Sequence, residues 1–66
     1  MNPKQKAILY LQNEIMLAYR GLTKYEDQLR NIMFYDEDDQ RIIQDCVDNF
    51  KERIEMFETI LEHLEK

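Results

Sequence analysis

Hydrophobic residues recur along the first half of the chain with alternating steps of three and four. The repeat comprises Ile8, Leu11, Ile15, Ala18, Leu22, Tyr25, Leu29 and Ile32. Residues at this spacing share one stripe of an α-helix and pack as in a coiled coil. Asn2 precedes Pro3, a favourable first helical residue, and Gln5 completes a capping-box pattern. The pattern predicts a helix over about residues 3–34.

Gly21 leaves a second interpretation of this helix open. Read locally, Gly21 is the C-cap of a shorter helix, and Thr23-x-x-Glu26 caps a new one. The hydrophobic repeat nevertheless passes through Gly21 without changing phase, and a helical glycine costs only about 1 kcal/mol. We therefore favour one continuous helix and keep a break at Gly21 as the alternative.

A second repeat with steps of four and three fills the other half of the chain. It comprises Ile43, Val47, Phe50, Ile54, Phe57, Leu61 and Leu64. The preceding run Asp36–Asp39 supplies candidate N-caps and carboxylates that suit the positive end of a helix dipole. We predict a turn at about residues 35–38 and a second helix over about residues 39–65.

The two stripes can pack against each other if the chain bends at Asp36. The bend pairs residues whose numbers add up to 72, such as Ala18 with Ile54 and Leu22 with Phe50. The same bend coincides with the turn and cap residues, which were identified independently of the stripes. The expected fold class is therefore all-α: an antiparallel helical hairpin that forms a single domain.

Several apolar residues lie outside both stripes and need another partner. They are Leu9, Tyr10, Met16 and Leu17 on helix one, Cys46 and Ile60 beside the second stripe, and Ile42 and Met56 farther out. A hairpin of this size has too small a core to be stable alone. We expect two hairpins to form a homodimeric four-helix bundle, with a complex with another protein as the competing solution. The predicted interface residues are Leu9, Tyr10, Met16, Leu17, Cys46 and Ile60.

The charge of the chain, −5 overall, is concentrated in the second half. Residues 1–33 hold five basic and three acidic groups, whereas residues 34–66 hold four and eleven. An acidic chain is a poor general nucleic-acid binder, because such binding requires clustered Lys and Arg. Helix two carries carboxylates at helical spacing, namely Asp45, Asp48, Glu52, Glu55 and Glu62. They are ordinarily a solvated face, but they define an alternative: an inhibitor that mimics nucleic-acid charge.

Residues for catalysis and metal binding are scarce in this sequence. Counted from Asp36, the sixth and twelfth residues are Arg41 and Val47, where a calcium loop needs Gly and Glu. A di-metal bundle needs Glu-x-x-His, yet Ile60 stands three residues before His63. We therefore expect no catalytic site, no metal, no cofactor and no enzymatic activity.

The lone cysteine and the first apolar stretch bear on location. Neighbouring carboxylates disfavour a reactive thiolate at Cys46, and an unpaired cysteine suits a reducing compartment. The apolar stretch of helix one contains Glu14 and is shorter than the roughly 20 residues of a membrane span. We expect a cytoplasmic protein that makes no membrane contact.

The layout of the chain resembles a known family. Met1-Asn2-Pro3-Lys4-Gln5-Lys6 leads into a heptad helix, an Asp-rich bend and a second helix that contains Asp45-Cys46. This plan looks like that of the Rop family of plasmid copy-number proteins. The members of that family are homodimeric helical hairpins that bind paired RNA loops. The resemblance supports the bundle architecture and implies RNA binding along helix one, through Lys4, Lys6, Asn13 and Lys24.

Three functions follow from the sequence. The leading hypothesis is a non-enzymatic regulatory or adaptor protein that acts through protein–protein contacts as a homodimer. It rests on surplus apolar surface together with the missing catalytic groups. The alternatives are RNA binding and inhibition by an acidic surface.

Overall fold

The computed structural model describes residues 2–66 as two helices joined by a short 3₁₀ turn. Helix α1 spans Pro3–Arg30, the 3₁₀ turn spans Ile32–Phe34, and helix α2 spans Glu37–Glu65. The helices lie antiparallel along each other in a rod measuring 49 × 15 × 14 Å. The prediction of an all-α hairpin is confirmed.

Helix α1 begins as the capping-box pattern predicts and runs without interruption through Gly21. The Gln5 amide donates to Asn2 Oδ1 at 2.8 Å, and the Asn2 amide donates to Gln5 Oε1 at 3.4 Å. These bonds satisfy amides that have no partner within the helix. The continuous helix is thus correct, and the alternative break at Gly21 does not occur.

Helix α1 ends at Arg30, earlier than the predicted end near residue 34. Asn31 terminates it: its side-chain Nδ2 donates to the Asp27 carbonyl at 3.1 Å, and the backbone then tightens into the 3₁₀ turn. Ile32 in that turn lines the same groove as Leu29. The apolar spacing therefore continues beyond the last α-helical residue, which is why periodicity alone places the end too late.

Helix α2 begins at Glu37, two residues before its predicted start. Asp36 is the N-cap, and its Oδ1 accepts a hydrogen bond from the Asp39 amide at 2.9 Å. Glu37, Asp38 and Asp39 form the first turn, where their carboxylates interact favourably with the helix dipole. The predicted turn at 35–38 included residues that already belong to the helix.

The two hydrophobic stripes pack together into one seam, which is the core of the hairpin. Every residue of both predicted stripes is buried or partly buried. The buried residues are Leu11, Ala18, Leu22, Ile43, Val47 and Ile54. No polar or charged side chain between residues 2 and 66 is buried. The helices are therefore held together by apolar contact, as expected from the repeats.

Gly21 is the one glycine of the chain, and it lies against a side chain of α2. The Phe50 ring packs directly over it, so that a Cβ atom at position 21 would lie 2.5 Å from Phe50 Cζ and 2.7 Å from Cε1. The ring is held from other sides as well, stacked on Tyr25 at 5.7 Å between centroids and covered by Arg53. The glycine is needed for packing, since its backbone conformation is ordinary.

We expect Gly21→Ala to lower the free energy of unfolding by about 1 kcal/mol. Overpacking against Phe50 costs about 1–3 kcal/mol, which outweighs the gain of about 1 kcal/mol in helix propensity. Urea denaturation at one fixed protein concentration measures the change. As the control, Gly21→Ala in a Phe50→Leu background should be stabilising, because the overlap is removed. If Gly21→Ala alone raised the free energy of unfolding by about 1 kcal/mol, the full gain in helix propensity, this account would be contradicted.

Candidate protein interaction site

One side of the hairpin carries large apolar side chains from both helices, and we call it the apolar flank. It comprises Tyr10, Leu17, Ile42, Cys46, Met56 and Ile60. Cys46 is partly buried, and the other five are exposed. These residues include four of the six predicted interface residues. The two residues that the sequence placed farther out, Ile42 and Met56, extend the same surface along α2.

Contacts across the seam show that these residues share one side. Gly21 follows Leu17 by one turn, and the Phe50 ring packs on it. Arg53 lies over the same ring, 5.4 Å from its centroid, and precedes Ile60 by two turns. Side chains about one or two turns apart on a helix lie on the same face. Leu17 and Ile60 are therefore on the same flank of the hairpin.

The opposite side, which we call the acidic flank, has a different character. It comprises Leu9, Met16 and Tyr19 from α1 and Glu55, Glu58 and Glu62 from α2, all of them exposed. The predicted interface residues Leu9 and Met16 thus face carboxylates across the seam. The structure divides the predicted interface into two parts, and only the apolar flank has apolar residues on both helices.

A hydrogen bond between Tyr19 and Glu58 ties the helices together on the acidic flank. Tyr19 Oη donates to Glu58 Oε1 at 3.0 Å, and within residues 2–66 it is the only side-chain hydrogen bond between α1 and α2. This bond, with repulsion from the Glu58 charge as a second cause and some desolvation, raises the pKa of Tyr19 above the ordinary tyrosine value of 10.0. The pair was not predicted from the sequence, because both residues lie outside the stripes.

A polar strip on the outer face of α1 separates the two flanks. Lys6, Asn13 and Arg20 are seven residues apart, so they project in nearly the same direction, and all three are exposed. Lys4 and Lys24, the other predicted RNA-binding residues, are also exposed. Lys6 and Asn13 thus share a strip with Arg20, a residue that was not predicted to take part.

The acidic residues predicted for an inhibitor surface extend from the outer face of α2, with Asp45 and Glu52, to the acidic flank, with Glu55 and Glu62. Asp45, Asp48, Glu52, Glu55 and Glu62 are all exposed. Glu62 pairs with Lys66 at 3.4 Å, and Asp48 accepts a hydrogen bond from Gln44 at 3.1 Å. The remaining pair between residues 2 and 66 joins Arg30 to Asp27 on α1. Most of these carboxylates therefore face solvent, so the surface is strongly negative along α2.

Two findings describe the metal-binding and pocket-forming features of the chain. Residues 2–66 contain no group of three or more His, Cys, Asp or Glu side chains that are placed to hold a metal ion. Two shallow grooves border the bend, one beside Leu29 and Arg41 and the other beside Tyr25 and Ile42. Both are open to solvent, unlike the enclosed pockets in which polar groups usually converge on a ligand.

The bend exposes two further apolar residues that were not among the predicted interface residues. Met33 and Phe34 are 88% and 87% exposed, which makes them the most exposed large apolar residues of the described chain. A signal was present in the sequence: two consecutive large apolar residues stand after Ile32, the last residue of the first repeat, and just before the acidic run.

The chain was compared with protein families, curated proteins and solved structures. No protein-family model matches the chain, and neither a curated protein nor a solved structure is significantly similar to it. Neither helix, within residues 2–66, combines the length and apolar character that spanning a bilayer requires.

The Tyr19–Glu58 bond predicts a specific titration behaviour. Because the bond needs the neutral phenol, its contribution to stability is present below the ordinary tyrosine pKa and is lost as pH rises through the raised pKa of Tyr19. Glu58→Gln removes the charge and should lower the pKa of Tyr19 towards its ordinary value, as followed by NMR of the ring carbons.

Glu55→Gln provides the matched control for this titration. It removes a carboxylate one turn earlier on the same flank without touching the hydrogen bond. We expect it to shift the pKa of Tyr19 less than Glu58→Gln does. Equal shifts in the two variants would mean that general negative charge, and not this bond, controls the phenol.

Proposed function

We propose that this protein is a non-enzymatic regulator or adaptor that works as a homodimer, in which two hairpins pack by their apolar flanks into a four-helix bundle. The observation that carries the proposal is the set of exposed apolar side chains that both helices contribute to one side of the hairpin. A bundle of four helices buries that surface and converts a single seam into a core.

The exposed area supports self-association. The chain exposes 5270 Å², whereas a compact monomer of 8.1 kDa exposes about 4,500 Å². The excess of roughly 800 Å² is close to the area that each partner buries in a standard stable interface. Its radius of gyration, 15.1 Å, likewise exceeds the roughly 11 Å expected for a compact chain of this length. The surplus surface is sufficient for one further hairpin.

The distribution of charge favours the apolar flank over the acidic flank as the dimer interface. Two acidic flanks would bring Glu55, Glu58 and Glu62 of both copies together, and such like-charge contacts are unfavourable. The apolar flank carries two cations, Lys24 and Arg53, and one carboxylate, the partly buried Glu14, so its net charge is small. Two copies of this flank would therefore meet with less like-charge repulsion than two acidic flanks.

The burial pattern of polar groups supports a non-enzymatic role. Enzymes shift the properties of acids, bases and nucleophiles by placing them in buried, convergent sites. Here no polar or charged side chain in residues 2–66 is buried, and both grooves near the bend are open. A surface of this kind is suited to contact with macromolecules.

Sedimentation analysis tests the dimer and the flank that forms it. We expect the protein to be dimeric at micromolar concentration. The pair Leu17→Gln and Ile60→Gln should raise the dimer Kd by at least about tenfold, because central apolar residues of an interface commonly contribute more than about 1 kcal/mol each.

The matched control is the pair Leu9→Gln and Met16→Gln. These residues are 48% and 47% exposed, similar to Leu17 at 47% and Ile60 at 42%, but they lie on the acidic flank. The control pair should leave the dimer Kd within about threefold of the wild-type value, because surface changes away from an interface usually have small effects. A folded monomer throughout the micromolar range would contradict the dimer, and equal weakening by both pairs would contradict the choice of flank.

RNA binding along the outer face of α1 is the second candidate function. It is favoured by one observation: Lys6, Asn13 and Arg20 form a continuous exposed strip, and none of the ion pairs in the described chain involves its cations. The strip lies between the flanks, so it stays accessible in the proposed dimer. The resemblance to the Rop family in layout agrees with this use of helix one.

Electrophoretic mobility shifts with a structured RNA test this candidate. RNA binding predicts an affinity that falls with salt, and each of Lys6→Gln and Arg20→Gln on the strip should reduce the salt slope by about one unit. Glu52→Gln on the outer face of α2 is the control, and it should not reduce the slope. The lack of a shift at low salt would remove the candidate.

A further inference from the structure

The bend of the hairpin presents apolar side chains that neither the seam nor the apolar flank uses. Met33 and Phe34 project from the 3₁₀ turn and are nearly completely exposed. A polar turn would join the helices equally well, because these two side chains contribute almost nothing to the core. We call Met33, Phe34 and the carboxylates of Asp36–Asp39 the bend tip.

The backbone of the bend tip is well fixed. The Phe34 amide donates to the Asn31 carbonyl at 3.0 Å, and the Tyr35 amide donates to the Ile32 carbonyl at 3.1 Å. From α2, Gln40 Nε2 donates to the Tyr35 carbonyl at 2.8 Å. Ile32 and Tyr35, on either side of the exposed pair, are partly buried. A surface that is already ordered loses less entropy on binding, so this arrangement suits recognition.

The charge around the exposed pair restricts what can cover it. Residues 30–41 contain four carboxylates, Asp36 to Asp39, and two guanidinium groups, Arg30 and Arg41. Arg30 is already paired with Asp27 at 3.3 Å. The surface is therefore negative, which disfavours nucleic acid and anionic lipid and favours an occupant that bears Lys or Arg.

We propose that the bend tip is a docking surface for a different protein, one that presents an apolar pocket rimmed by Lys or Arg side chains. Met33 and Phe34 enter the pocket and supply most of the affinity, since large apolar anchors at the centre of an interface dominate binding. The carboxylates of Asp36–Asp39 face the basic rim and contribute to orientation and to the rate of association.

This inference deepens the proposed adaptor function and depends on it for its biological meaning, but it does not depend on the dimer. The bend tip is at the end of the rod, whereas the apolar flank runs along its side. The two surfaces can thus be occupied together, and each can be disrupted separately. A dimer of hairpins would use one surface for self-association and leave the other for the partner.

Photo-crosslinking in the cells that naturally make the protein identifies the occupant. The probe is the full chain with p-benzoyl-phenylalanine in place of Phe34, and a second chain carries the same group in place of Tyr10 on the apolar flank. We expect the probe at position 34 to form a conjugate with one other protein, and the probe at position 10 to form a conjugate with a second copy of this chain. Mass spectrometry identifies each conjugate.

Binding to the purified crosslinked protein then tests the chemistry of the bend tip. The double variant Met33→Ser and Phe34→Ser should weaken binding at least about thirtyfold, since two apolar anchors are lost. Glu37→Gln with Asp38→Asn should weaken it less and make it less sensitive to salt. Sedimentation of the Met33→Ser and Phe34→Ser variant should show an unchanged dimer, which separates this result from a failure of the dimer proposal.

Several outcomes would overturn the proposal. One is that the probe at position 34 crosslinks only to this chain, to lipid or to nothing. Another is that Met33→Ser with Phe34→Ser leaves the binding of the purified partner unchanged. A membrane surface is a further outcome that would overturn the proposal. It would be indicated if the wild-type protein floats with phosphatidylglycerol or phosphatidylcholine vesicles and the Met33→Ser and Phe34→Ser variant does not.

Discussion

Apolar contact along a single seam holds the two helices together, and the other features of the molecule depend on it. No polar side chain is buried in residues 2–66, and no ion pair within that range joins α1 to α2. Hydrophobic burial has no preferred direction, so specificity must come from the fit of large and small side chains. Gly21 under the Phe50 ring is the clearest instance, since the Cβ atom of any larger residue there would overlap the ring as it is placed.

A seam between two helices limits how much surface each helix can bury. Each helix offers one stripe to its partner, and the remaining faces stay in contact with water or with another molecule. This limit accounts for the thin rod and for its large exposed area. It also gives the apolar flank its importance, because Leu17, Met56 and Ile60 are exposed in the hairpin. These are the residues that the proposed dimer would bury.

The surfaces of the hairpin differ in chemistry, and their positions allow several roles at once. The apolar flank suits a second copy, the polar strip with Lys6 and Arg20 suits an anionic ligand, and the outer face of α2 is negative along its length. The bend tip combines apolar and acidic groups at one end of the rod. These surfaces share no residue, so the proposed self-association and the proposed partner binding would use different side chains. That separation is compatible with the proposed adaptor role.

The sequence by itself determined the two helices, the starting residue of α1, the candidate caps and the stripes that form the seam. Capping by Asn2 and Asp36 is a matter of neighbouring residues, and hydrophobic periodicity reports directly which side of a helix is buried. The tertiary structure alone decided the rest. Periodicity could not show that α1 stops at Arg30, because Ile32 keeps the spacing in a 3₁₀ turn. Nor could it assign the apolar residues outside the stripes to particular flanks, or find the bond between Tyr19 and Glu58. These features depend on which residues of the other helix lie alongside, and that is fixed only when the helices pack.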